Sequence, residues 1–194
     1  MARRVGVELE NKLLEAAWQQ LLDEGYAAFT IDAVAARAET SRAVLYRRWT
    51  DKHELLRAVV AHVMKPGDMV IADTGSLRGD TIAMMKVANR TRLELVTAMT
   101  VHLGGYYQET GTSPMDLRKT VFPGRPHIPR MLLDRAIARG EVCPPVVSDR
   151  IAAVPYALLQ QEFFMTLRPV PTAVIEEIVD TIFLPLVIGS SKRR

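Results

Sequence analysis

A chain of 194 residues with 25 Lys and Arg against 22 Asp and Glu, a net charge of +3 and one cysteine excludes several classes of protein at once. It is long enough to bury its own core, since roughly 150 residues already hide about 70% of the unfolded surface, and a lone Cys143 permits neither an internal disulfide nor a multi-cysteine zinc site. No run approaches the ~18 to 20 apolar residues of a membrane span or a signal-peptide core, so a cytoplasmic protein with no membrane partner is expected.

The charge is too small to name a partner, and its placement matters more. The first helix carries Leu13, Leu14, Ala17, Trp18, Leu21 and Leu22 at helical spacing and is predicted to close at Gly25. Thr30 is a natural cap for a second helix, with Asp32 in its first turn and Ile31, Val34, Ala35 and Ala38 on one face. After a turn at Glu39 and Thr40, Ser41 is placed to cap a short third helix on which Leu45 and Trp49 share a side. Asp51 and Glu54 have the spacing of a capping-box variant ahead of Leu55, Leu56, Val59, Val60 and Val63, which predicts a fourth helix to about Met64.

Pro66, Gly67, Gly75 and Gly79 mark a loop between modules. Helix is expected again over 80–110, a break over Gly111 to Pro114, an interruption at Pro123, Pro126 and Pro129, and helix from Met131 to Arg139 stopping at Gly140. Two apolar helices, about 149–167 and 172–187, flank Pro169-Val170-Pro171. No alternating strand pattern competes, so the fold class is all-α.

Two short helices joined by a tight turn, the second bearing Arg42, Tyr46, Arg47 and Arg48, match a helix-turn-helix whose second helix enters the DNA major groove. Arg37 and Lys52 extend this cationic cluster, against only Glu39 and Asp51. A solvated basic face is the usual reading of such a run, but its position in this pattern favours duplex DNA.

Thr30, Leu45-Tyr46, Trp49 and Lys52 stand in the order and spacing that characterise the DNA-binding domain of the tetracycline-repressor (TetR) family, and Ala16-Ala17, Gly25 and Val34-Ala35 agree. The resemblance covers about 9–64 and implies an N-terminal three-helix DNA-binding domain, residues 1–64 with helix 4 linking, followed by a helical effector-binding and dimerisation domain, residues 65–194. It also implies that Thr30 and Tyr46 touch phosphate and that Lys52 anchors on the backbone. Arg42, Ala43, Val44 and Arg48 then face the groove, and Thr40, Ser41 and Arg47 complete the predicted contact set. Arg42 is the expected base reader, because a bidentate arginine to guanine supplies about 1 to 3 kcal/mol of discrimination. The family often has glycine at the position of Glu39; a residue with a Cβ in left-handed geometry there costs roughly 1 to 2 kcal/mol.

The C-terminal stripe Val174, Ile175, Ile178, Val179, Ile182 and Leu186, with Val154 and Leu158 on the preceding helix, offers more apolar surface than one helix needs, and the resemblance implies that it forms a homodimer interface. Met84, Met99, His102, Tyr106, Phe122 and Phe163 are candidates to line a cavity for an unidentified small-molecule effector, although ordinary packing explains each of them too. The four histidines His53, His62, His102 and His127 show no paired ligand spacing, so neither metal nor cofactor is expected. There is no nucleophile elbow, phosphate-cradling glycine loop or Cys-His pairing, so an enzyme is not expected. The alternatives carried forward are a helical protein-interaction module and a DNA-binding regulator without an effector.

Overall fold

A computed structural model describes residues 2–64, 71–91, 99–123, 128–142 and 147–191. Pro66-Gly67, Pro126, His127 and Cys143 lie outside the described residues. Every regular element among the described residues is helical: α1 (Ala2–Glu24), a 3-10 turn (Tyr26–Ala28), α2 (Ile31–Arg37), α3 (Arg42–Tyr46), α4 (Lys52–Val63), α5 (Leu77–Thr91), α6 (Gly104–Thr110), α7 (Pro114–Val121), α8 (Ile128–Ala138), α9 (Asp149–Thr166), α10 (Thr172–Glu177), a π stretch (Ile178–Phe183) and α11 (Leu184–Ser191). Two compact units result, Met1–Pro66 with Leu95–Gly124, and Gly67–Glu94 with Arg125–Arg194. Residues 99–123, which the sequence pattern groups with the C-terminal region, thus pack with the N-terminal helices.

In the first unit, α1 lies against α2 and α4, and α2 against α3. Leu13, Ala17 and Leu21 of α1 bury against Phe29, Val34, Leu45, Trp49, Leu55, Leu56 and Val59. Gly25 closes α1 at φ +72 as expected, its N–H donating to the Leu21 carbonyl at 3.0 Å. At the start of α4 the predicted box is half formed: Asp51 accepts from the Glu54 N–H at 2.7 Å. The Glu54 carboxylate reaches one residue further back than the motif requires, to the N–H of Thr50 at 2.7 Å and its hydroxyl at 2.8 Å.

Three helix starts differ from the sequence reading. Helix α5 begins at Leu77, not near 80, because the Ser76 hydroxyl accepts from the Gly79 N–H at 3.1 Å and draws Gly79 into the first turn. The expected break over Gly111 to Pro114 is followed at once by α7, which Ser113 and Asp116 open with a reciprocal capping box and a proline in the first turn. Helix α8 starts at Ile128, with Pro129 in its first turn, where a missing N–H costs no helical hydrogen bond.

In the second unit, α5 contacts α8, α9 and α10 around a core that includes Met84, Met85, Leu132, Leu133, Ala136, Leu159, Phe163 and Ile175. Pro169 and Pro171 have no N–H to offer, and Asn89 serves the residue between them, donating to the Val170 carbonyl and accepting from its N–H, each at 2.9 Å. Asp80 is fully buried, accepting from the Thr74 N–H and hydroxyl at 2.7 Å each and from Arg139 at 3.0 Å. Arg139 also reaches Asp73 at 2.8 Å and Glu141 at 2.5 Å, and Glu141 accepts the otherwise free Leu77 N–H at the start of α5 at 2.8 Å.

The π stretch changes the outward face of the last helix. Its i→i+5 turns hold more residues than the 3.6 of an α-helix and retard the register by about one residue. Phe183 and Val187 therefore turn inward while Ile182 and Leu186 come out. Of the predicted dimer stripe, Ile175, Ile178 and Val179 are buried in the subunit's own core, and we remove them from that set. Val154, Leu158 and Val174 are half-buried.

Candidate nucleic-acid interface

Helix α2 opens with the Thr30 hydroxyl accepting from the Ala33 N–H at 3.1 Å, which leaves its own O–H free to donate outward. It closes in a Schellman arrangement, with Glu39 N–H on the Ala36 carbonyl at 3.1 Å and Thr40 N–H on the Ala35 carbonyl at 3.0 Å. The motif needs a left-handed residue after the cap, and Glu39 occupies it at φ +54. The same pair of bonds ends α8, where Gly140 takes that place at φ +77. Glu39→Gly is accordingly expected to raise stability by about 0.5 to 1 kcal/mol, the strain relieved less the entropy glycine adds to the unfolded chain. Urea denaturation checks this, and a lower midpoint would contradict it.

Helix α3 spans five residues and leaves the turn through Ser41, whose extended backbone occupies the cap position while its hydroxyl makes no capping bond, contrary to expectation. Leu45 is fully buried and Trp49 nearly so, which turns Ser41, Arg42, Ala43, Tyr46 and Arg47 to solvent. Val44 and Thr40 are half-buried at the edge. The Arg42 side chain is 69% exposed and lies 3.2 Å from the Asp32 carboxylate of α2. That contact is worth little in water and is easily exchanged for another acceptor.

Two predicted cations are less available. Arg48 is half-buried and donates back to the Val44 carbonyl at 3.3 Å. Arg37 is held on α1, donating to Gln20 at 2.9 Å and to Asp23 at 2.6 Å.

Lys52, the first residue of α4, is 32% exposed and lies 2.7 Å from the Glu109 carboxylate of α6. The Tyr26 hydroxyl donates to the same carboxylate oxygen at 2.9 Å, and His53 Nε2 stands 3.2 Å from the other. The ammonium also sits 4.6 Å from the Tyr26 ring centroid. Burial and then the bond to Glu109 push the Tyr26 hydroxyl up to about 12. The bond from Lys52 and then that from Tyr26 hold the Glu109 carboxyl below its ordinary range, and the bond to Glu109 raises Lys52. Helix α6 approaches this closely because Gly105 lacks a side chain: a Cβ there would stand 2.9 Å from Tyr26 Cδ1. Tyr106 stacks edge-on against Tyr26 at 5.9 Å and against His53 at 5.8 Å. None of this network was visible in the sequence, since 83 residues separate Tyr26 from Glu109.

The six candidate ligand residues divide between the two units. Met99, His102, Tyr106 and Phe122 belong to the first unit, Met84 and Phe163 to the core of the second. Tyr106 is buried, and Tyr107 beside it has a buried hydroxyl without a hydrogen-bond partner. Among the described residues no three His, Cys, Asp or Glu side chains are disposed to hold a metal ion, and no helix is long and apolar enough to cross a membrane.

Residues 13–59 match the family profile "Bacterial regulatory proteins, tetR family", and residues 71–182 match the profile "Tetracyclin repressor-like, C-terminal domain". The chain is also similar to the DNA-binding transcriptional repressor TetR of Mycobacteroides abscessus, 35% identical over 90% of this chain and 92% of that protein. The chain belongs to the TetR family. An uncharacterized HTH-type transcriptional regulator of Mycobacterium bovis is 27% identical to this TetR-family chain over 91% of it and 86% of the relative. A Bacillus subtilis regulator described in the same words is 27% identical over 67% and 65%. Membership makes this a DNA-binding transcription regulator. The TetR-family profile begins at Leu13 and ends at Val59, so it takes in α2, the Glu39 turn and α3.

Proposed function

We propose that this TetR-family protein is a repressor that binds a pseudo-palindromic operator as a homodimer and is released by a small-molecule effector. The observation that carries the DNA part is the outward face of α3, where Arg42, Ala43, Tyr46 and Arg47 are exposed over an anchored Leu45 and Trp49. Arg42 exchanges Asp32 for a guanine edge, and Ala43 and Val44 lie close enough to the groove for apolar contact with thymine methyls. Thr30, Thr40, Ser41, Tyr46 and Arg47 hold phosphates on either side, Lys52 does so in the state that has released Glu109, and Arg48 faces the groove once it leaves the Val44 carbonyl.

Two copies are needed to present such heads to successive major grooves, about 34 to 36 Å apart. Support for self-association comes from Phe164 and Met165 near the end of α9 and from Ile182, Leu186 and Ile188, all exposed, with Met165 at 78%. Val154, Leu158 and Val174 are the half-buried members of the same proposed interface. The domain division at 64/65 is kept as a functional one, with helix α4 linking. An effector acts by favouring a spacing of the two heads that no longer fits the operator.

Selection of bound duplexes from a random pool tests the reading, with an inverted repeat as the expected product. Arg42→Ala is expected to lose about 1 to 3 kcal/mol of discrimination at one base pair per half-site while keeping most of its nonspecific affinity. Enrichment of no common site by the native protein would refute the proposal, as would sedimentation as a monomer on operator DNA.

A further inference from the structure

The Lys52 ammonium is already occupied. It lies 2.7 Å from Glu109, whose carboxylate also takes the Tyr26 hydroxyl proton and faces His53. Lys52 stands only six residues after Tyr46, the last residue of α3, at the end of the helix-turn-helix where the exposed cations gather. We infer that Glu109 competes with duplex phosphate for Lys52, so that α6 docked on Tyr26 is a weaker-binding state of the protein. This inference rests on the DNA-binding reading above.

The physical argument is one of charge and reach. A phosphate approaching Lys52 meets a carboxylate of its own sign less than 3 Å from the ammonium, and the two anions cannot both hold it at full strength. Glu109 is partly exposed and its remaining partners, Tyr26 and His53, do not require Lys52, so the carboxylate can release the cation without being orphaned. Each additional phosphate neutralised steepens the dependence of log affinity on log salt by about 0.9. Over the decade from 1 M to 0.1 M salt, that is about eightfold in affinity. Helix α6 lies outside the helix-turn-helix, yet it belongs to the same compact unit and bears on the unit's DNA affinity through one side chain.

Glu109→Gln removes the charge and keeps an acceptor for Tyr26. Binding of a fluorescein-labelled, mixed-sequence duplex by the full chain is measured between about 0.05 and 1 M salt, a range of about 1.3 decades in concentration. The variant is expected to bind about eightfold more tightly than the native protein at 0.1 M salt, with a slope steeper by about 0.9 and curves converging near 1 M. Glu109→Ala, which does not depend on the amide's hydrogen bonds, is expected to behave alike. In a Lys52→Gln background the gain should vanish. A Glu109→Gln protein that binds equally or more weakly, or that still gains affinity without Lys52, would overturn the inference and show Glu109 to be a support for Lys52 or a general repulsive charge. Failure of the native protein to bind any duplex at low salt would instead overturn the DNA-binding reading itself.

Discussion

Leu45→Ala is expected to destabilise the first unit by about 2 to 5 kcal/mol and to abolish operator binding, although Leu45 touches no DNA. Leu45 is the one fully buried side chain of a five-residue α3. A helix of that length has no stability of its own in water, since nucleation is unfavourable and packing must supply the difference. Truncation therefore removes transfer energy, leaves a cavity in the core that Leu45 shares with Val34 and Leu55, and frees the segment that presents Arg42. Urea denaturation reads the first effect and duplex binding the second. Arg47→Ala, exposed at the C-cap of the same helix, is the contrast: it should stay within about 0.5 kcal/mol of native stability. A Leu45→Ala protein as stable as the native one would mean that α3 is held from elsewhere.

Asp80→Ala is expected to cost about 3 kcal/mol at neutral pH, because it strips one acceptor from Arg139 and the acceptor of both donors of Thr74, just ahead of α5. Burial by itself raises the Asp80 carboxyl, but the Thr74 N–H and hydroxyl and the Arg139 guanidinium outweigh it, and the net value falls below the ordinary 3.8. The folded state thus prefers the carboxylate. Its stabilisation is complete well above 3.8 and is lost as pH falls through the lower folded value. The deficit of the alanine variant should shrink over that acid range and the two stability curves should converge. Denaturation series from pH 7 downward that stayed parallel would show that Asp80 contributes through packing and not through charge.

Local signals in this chain are legible where neighbours in sequence are neighbours in space. Thr30 caps α2 and Gly25 ends α1, while the geometry at Glu39, which its Cβ left open, turns out left-handed at φ +54. The start of α7 is equally local: Ser113, Pro114 and Asp116, which fall in the expected break, spell a capping box.

The sequence by itself determined the all-helical class, the helix-turn-helix and the family, because capping residues and a 3.6-residue apolar period act over three or four positions and need no distant partner. Only the tertiary structure decided which cations of that motif are free. Arg37 is bound to α1, Arg48 bends onto its own helix, and Lys52 meets Glu109 from 57 residues away. It also decided which face of the last helix looks outward, since a π stretch shifts Ile182 and Leu186 out and Phe183 in. Ion pairing and register shift depend on what packs alongside, and no periodicity in a single chain encodes the arrival of a partner from another helix.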